Sequence, residues 1–186
     1  MPQPTAHTHP FPDHTLDSAP EAARRPMQAT ISHLGYLPTP VARLATSPQT
    51  LDGFLKLSAL FETTTLAPLA RETVILTMAT RNDCHICIAM HTRTLTTLDA
   101  DPALIEALRT QKPLPAPELE AVRLFTLEVL ATAGDVSPDA LDAFLGHGYT
   151  QQNALEVVLG IGTYTISTLA NRLTGAPVDD QLQAFA

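Results

Sequence analysis

An all-α fold, a bundle of helices, is what this sequence predicts, and three observations carry the prediction. Capped, proline-marked helix starts recur along the chain: Thr39-Pro40, Ser47-Pro48, Asp101-Pro102 and Ser137-Pro138 each place a capping side chain before a proline at the first helical position. Between these starts apolar residues return at spacings of three and four, as in Leu51, Phe54, Leu55, Leu57 and Phe61, then Leu104, Ile105 and Leu108. No run alternates apolar with polar residues between Asn-Gly or Asp-Gly turns, so no strand is expected.

Taken in order, the chain opens with a stretch in which Pro2, Pro4, Pro10, Pro12, Pro20 and Pro26 outnumber the large apolar side chains. Such a segment cannot order itself alone, and residues 1–37 are expected to be a tail or arm outside a single helical domain spanning 38–186. His7, His9 and His14 lie in it, and histidines in a Pro-rich segment are expected to be solvated rather than metal-bound. Later, a helix near 117–133 ends at Gly134, and one near 138–145 ends at Gly146 or Gly148. The last long helix starts at Thr150 and stops at Gly175-Ala176-Pro177. Its stripe of Leu155, Val158, Leu159, Gly162, Ile166, Leu169 and Leu173 reads as a bundle seam. Gly160 and Gly162 weaken that helix by about 1 kcal/mol each relative to alanine, which implies close approach by another helix of this chain or of a second one.

Bulk properties narrow the function classes. A chain of 186 residues, 45% hydrophobic, is large enough for one well-buried core and needs no covalent staple. Its net charge of -8, pI near 5.2 and lack of any Lys/Arg cluster disfavour nucleic acid and anionic membranes as partners. The first residues lack the basic and apolar regions of a secretory signal, and no stretch reaches the ~18 apolar residues of a membrane span, so a soluble, cytoplasmic protein is expected.

The chemistry concentrates between Glu72 and His91, which hold the only two cysteines of the chain. At about 100° per residue, Cys84, Cys87 and His91 fall within an arc of roughly 60° on one helix face. Asn82 or Asp83 is the expected N-cap, which puts Cys84 in the first turn, where the positive end of the helix dipole favours a thiolate. Glu72 sits in the preceding helix on the same side as Leu69, Ile75, Leu76 and Ala79, and a carboxylate on an apolar face needs a partner. His91 is placed to take the Cys87 proton, and Glu72, if it reaches His91, to orient the imidazole.

Other readings of these residues stand beside the redox one. Two small thiols can simply pack in a core, with His91 satisfied by a backbone carbonyl. Cys84, Cys87, His91 and Glu72 could in principle ligate zinc, but three ligands on one face of one helix is not the usual arrangement of a structural site. A thioredoxin-type site shares the CxxC yet requires βαβ units, which are missing.

Glu72, eleven intervening residues, Cys84, two more, Cys87, three more and His91 together resemble the signature of the alkyl hydroperoxidase D-like branch of the carboxymuconolactone decarboxylase family. The resemblance runs from about Pro38 to Asp179, including the late segment from Ala154 to Leu173. It implies a helical fold that associates through its helices as dimers, trimers or hexamers, and a thiol peroxidase or disulfide oxidoreductase activity with no metal and no organic cofactor. By position, Cys87 would attack the hydroperoxide, Cys84 would resolve the sulfenic acid and face a protein or lipoyl-type dithiol reductant, and His91 with Glu72 would relay the proton. Well-characterised members carry a histidine just before the second cysteine; this chain has Ile86 there and His85 one position earlier, expected on the solvent side. Lactone-acid decarboxylation, which names the wider family, and a non-enzymatic redox-sensing module are the alternatives. Glu156, Tyr164, Asn171 and His147 could line the same pocket, but each is expected to be structural.

Overall fold

The computed structural model describes residues 10–186. His7 and His9 therefore lie outside the described residues. Among those described there are nine α-helices and no strand: α1 (Glu21–Leu34), α2 (Thr39–Leu44), α3 (Pro48–Glu62), α4 (Pro68–Arg81), α5 (His85–Thr97), α6 (Pro102–Arg109), α7 (Pro117–Ala131), α8 (Pro138–Gly146) and α9 (Gln151–Thr174), closed by a 3₁₀ turn, Asp180–Phe185. None of these helices is long and apolar enough to cross a membrane.

Three of the four proline-marked starts cap as their sequences imply. Ser47 accepts from the Thr50 N–H, Asp101 from the Ala103 N–H and Ser137 from the Ala140 N–H, each with proline in the first turn. Thr39 does something else. It is the first residue of α2 rather than its cap, and its hydroxyl and N–H donate to Asp179 Oδ1 at 2.6 and 3.1 Å, tying α2 to the tail beyond α9. Thr150 caps α9 in a reciprocal pair with Asn153, and Gly175 ends that helix in the left-handed conformation.

The central pillar is α4, which packs against α5, α6, α7 and α9 and is buried from Glu72 to Thr80. Three threonines lie in that buried run. Each returns its hydroxyl to its own helix, Thr73 to Leu69 O, Thr77 to Thr73 O and Thr80 to Leu76 O at 2.6–2.8 Å, so no donor is stranded among apolar neighbours. Around α4 the main core gathers Phe61, Ile75, Leu76, Met78, Leu95, Leu108 and Phe144.

The N-terminal segment departs from a simple tail. From Pro10 onward it is described, and it contains α1, whose Ala23 and Met27 are fully buried in a second cluster with Val41, Leu44 and Leu51 of α2 and α3. Its few apolar residues cannot build a core of their own, but they suffice to lay one helix against a core that already exists.

The stripe read as a seam on α9 faces outward. Leu155, Val158, Leu169 and Leu173 are exposed, whereas Asn153, Glu156, Gly160, Tyr164, Ser167, Thr168 and Asn171 point inward. Hydrophobic periodicity identified the stripe but not its direction, because the inner face of α9 is committed to polar contacts with the site and with the α3–α4 loop. Of the two glycines, Gly160 meets the expected neighbour within this chain: a Cβ there would lie 2.7 Å from the Phe61 ring and 3.0 Å from Val74. Gly162 has nothing within 4 Å.

Candidate active site

The turn between α4 and α5 fixes where the sulfurs sit. Asp83 takes a left-handed conformation (φ 52°), which Asp tolerates better than most residues. It thereby closes α4, with its N–H donating to Thr80 O and the next N–H, of Cys84, donating to Ala79 O. The N-cap of α5 is therefore Cys84, not Asn82 or Asp83. Arg172 of α9 clamps the turn through the Asp83 carboxylate at 2.7 Å, and that hydrogen bond holds the carboxyl below the usual range.

With Cys84 at the cap and Cys87 three residues on, both sulfurs lie in the first turn and share the favourable end of the helix dipole. They are joined as a disulfide with Cα atoms 5.3 Å apart. Cys84, expected from the resemblance to face the reductant, is 1% exposed and packed in the core. Cys87, 4% exposed, lines a cavity of about 890 Å³, and Cys84 does not.

Glu72 and His91 do come together. Glu72 Oε2 lies 2.8 Å from His91 Nδ1, with both side chains largely buried. The pairing leaves Nε2 as the ring nitrogen free to exchange a proton in the cavity, which both residues line with Cys87. Tyr164 sets its ring edge-on to His91 at 5.3 Å and is itself held edge-on by Phe54 and Phe61. Burial pushes the Tyr164 hydroxyl well above its ordinary pKa, so it stays protonated.

The hydrogen bonds at Cys87 come from α9. Asn171 Nδ2 donates to Cys87 Sγ at 3.3 Å, Ser167 Oγ lies 4.0 Å from the same sulfur, and Asn171 Nδ2 also reaches Ser167 Oγ at 3.4 Å. Asn171 Oδ1 is buried without a partner. Sequence reasoning took Tyr164 and Asn171 as structural and overlooked Ser167. The available signal was their spacing of three, four and seven, which gathers three polar groups on one face of a helix whose opposite face is apolar.

The remaining candidates lie elsewhere. His85 is solvent-facing, 3.8 Å from Asp83, and Ile86, in the position of the absent histidine, lines the cavity. His14 makes a 3.4 Å contact with Ser18, and His147 is exposed at the end of α8. Glu156 is structural: its carboxylate accepts from the Thr65 and Leu66 N–H groups, the Thr65 hydroxyl, Gln152 and Asn153, binding α9 to the α3–α4 loop. Among the described residues no three His, Cys, Asp or Glu side chains converge as metal ligands would.

The cavity is lined by Glu72, Cys87 and His91 and by apolar side chains of the N-terminal helices, among them Pro26 and Leu34 of α1 and Val41 and Leu44 of α2. The arm is thus part of the site. Lys56, Glu62 and Arg71 add charge to the lining.

Three solved structures superpose along nearly their whole length. A peroxidase-related protein from Ralstonia eutropha JMP134, described as an alkylhydroperoxidase AhpD core, matches with a TM-score of 0.82 at 21% identity over 95% of this chain and 96% of the other. The fold is that of the AhpD core. A peroxidase-related protein from Silicibacter sp. TM1040 shares this AhpD-core fold at TM-score 0.77 and 17% identity, covering 96% of each chain. So does the debrominase Bmp8 in complex with 2,3,4-tribromopyrrole, at 0.75 and 12% identity over 97% of this chain and 96% of the other. Neither a family model nor a curated protein sequence matches the chain.

Proposed function

We propose that the protein is a thiol-dependent peroxidase acting on organic hydroperoxides, with Cys84 and Cys87 cycling between dithiol and disulfide. The observation that carries this reading is the bonded cysteine pair with Cys87 on the wall of a cavity that also holds a carboxylate-oriented histidine. In the reduced protein His91 takes the Cys87 proton. The thiolate attacks the terminal peroxide oxygen, the O–O bond breaks, and the proton passes to the departing alkoxide, leaving an alcohol and a Cys87 sulfenic acid. Cys84 then attacks that sulfur, forming the disulfide and releasing water. A protein or lipoyl-type dithiol restores both thiols by exchange, itself becoming a disulfide. No metal or organic cofactor takes part, and a reducing cytoplasm suits the cycle.

Burial favours Cys87 as the attacking sulfur and as the point of reductant attack, since it alone faces the cavity. Asn171 and Ser167 supply hydrogen bonds to the charge that forms on it. The test is consumption of cumene hydroperoxide that requires an added dithiol and disappears in Cys87→Ser. Trapping with a dimedone-type probe in each single Cys→Ser variant assigns the order; labelling confined to Cys84 reverses it, and full turnover by Cys87→Ser removes the mechanism.

A second reading is reductive dehalogenation of a halogenated aromatic ring. It is favoured by the apolar residues that line the cavity and by the likeness in fold to the Bmp8 complex. There the two thiols supply two electrons, halide leaves, a proton takes its place on the ring and the disulfide forms. Bromide release from a bromopyrrole, without peroxide turnover, selects it.

A further inference from the structure

Three side chains of α9 line the cavity, and two of them already act on Cys87. Asn171 donates to its sulfur at 3.3 Å, and the Ser167 hydroxyl lies 4.0 Å from it. The third, Tyr164, stands three residues before Ser167 on the same inward face, roughly 4.5 Å further along the helix axis. It is 4% exposed, and its ring is held edge-on to His91, Phe61 and Phe54 at 5.3, 6.0 and 6.3 Å between centroids.

The Tyr164 hydroxyl has a proton to donate and no protein group to receive it. Buried tyrosines usually spend that proton on a partner. Among the described residues the sealed-off polar atoms without a partner are Asn171 Oδ1 and Asp179 Oδ2. Tyr164 Oη has no hydrogen-bond acceptor among the described residues either, yet it is not sealed off, and the space that Tyr164 borders is the cavity. Burial raises the pKa of the hydroxyl, while Ser58 beside it acts the other way, as a hydrogen-bond donor does. Ser58 therefore leaves the phenolic proton unspent.

A thiol peroxidase has a specific need for such a donor. The sulfur approaches one peroxide oxygen to about 3–3.5 Å, and the oxygen that departs is one bond further away. Asn171 and Ser167 serve the attacking atom, and Tyr164 is the next cavity-lining residue on that face. We propose that Tyr164 is a further catalytic residue, donating its O–H to the alkyl-bearing oxygen of the hydroperoxide as the O–O bond breaks; the inference rests on the peroxidase reading above. A sulfur lone pair forms the S–O bond, and the O–O pair leaves with the alkyl-bearing oxygen. The terminal oxygen keeps its hydrogen in the sulfenic acid, and the Cys87 proton carried by His91 converts the alkoxide to the alcohol. Tyr164 keeps its own proton throughout. Its contribution is a hydrogen bond that strengthens as negative charge grows on the departing oxygen.

The experiment is single-turnover oxidation of the fully reduced, full-length protein, wild type and Tyr164→Phe, by cumene hydroperoxide and by peracetic acid, with free thiol as the readout. Phenylalanine keeps the ring against His91, Phe54 and Phe61. Cumene hydroperoxide expels a basic alkoxide, which needs the donor, whereas peracetic acid expels acetate, which does not. Tyr164→Phe is expected to slow the first reaction roughly 10- to 150-fold, the loss of one hydrogen bond to a developing charge, and to change the second little. A merely structural role, such as holding the His91 ring, would slow both alike, because both need the same thiolate. The ratio of the two rates within one protein preparation is independent of how much of it is folded. Slowing as large or larger with peracetic acid, or an unchanged rate with cumene hydroperoxide, overturns the role of Tyr164 and leaves the peroxidase reading standing. Wild-type thiols that do not react with cumene hydroperoxide overturn both.

Discussion

Replacing Glu72 by glutamine keeps the shape of the side chain and removes the charge on which the proposed proton relay depends. In the native site the carboxylate lies 2.8 Å from His91 Nδ1, with 6% of the Glu72 side chain and 13% of the His91 side chain exposed. In the proposed cycle His91 becomes an imidazolium on taking the Cys87 proton, and a hydrogen bond to a charged partner in such a setting contributes about 1.5–3 kcal/mol. At 1.36 kcal/mol per decade, losing that term from the transition state slows thiol oxidation by roughly 10- to 150-fold. The assay is stopped-flow oxidation of the fully reduced protein by cumene hydroperoxide in single turnover, with free thiol as the readout. Thermal unfolding run in parallel separates a chemical defect from a folding one. If Glu72→Gln is oxidised within twofold of the wild-type rate while folded, the carboxylate does not support the imidazolium and the relay is wrong.

Asn171→Leu, made in a Cys84→Ser background, is expected to slow alkylation of Cys87 at neutral pH about fivefold and to move the alkylation pH profile upward, because a hydrogen bond worth about 1 kcal/mol to the thiolate is lost; an unmoved profile contradicts the role. Gly160→Ala gains about 1 kcal/mol of helix propensity but drives a methyl to 2.7 Å from the Phe61 ring, which Tyr164 holds edge-on, and overpacking costs about 1–3 kcal/mol. A lowered melting temperature is expected, and a raised one would mean the helices part freely. At Glu156, burial opposes ionisation, but the donors from Thr65, Asn153 and Gln152 outweigh it and the pKa lies below the ordinary carboxylate value. A depressed pKa means stability that is present above the unfolded-state value and lost as pH falls through the folded-state value. Glu156→Gln should therefore be less stable than wild type at pH 7, by about 2 kcal/mol, with the gap narrowing in acid. Denaturant midpoints across that range check it, and a gap independent of pH refutes it.

Local signals were legible because they need only neighbours along the chain. Ser47, Asp101, Ser137 and Thr150 cap the helices they precede, and the spacing of Glu72, Cys84, Cys87 and His91 announced a shared site before any packing was known. What stayed hidden depended on direction. The stripe from Leu155 to Leu173 was visible as a stripe, yet whether it turned toward α4 or toward solvent was decided by Glu156, Tyr164, Ser167 and Asn171, whose partners lie some 80 to 100 positions away in the chain for three of the four. Likewise Asp83 was available to cap α5 or to close α4, and the Arg172 clamp from α9 accompanies the second outcome. The segment before Thr39 has too little apolar surface to be read as ordered by itself; α1 forms because a groove of α2 and α3 receives Ala23 and Met27, and only then does it wall the cavity. The sequence alone determined the helical class, the capped helix starts from Ser47 onward and the spacing that brings Glu72, Cys87 and His91 to one cavity. Tertiary structure decided which face each helix buries and which sulfur meets the cavity, since burial is a property of surfaces brought together and not of any one segment.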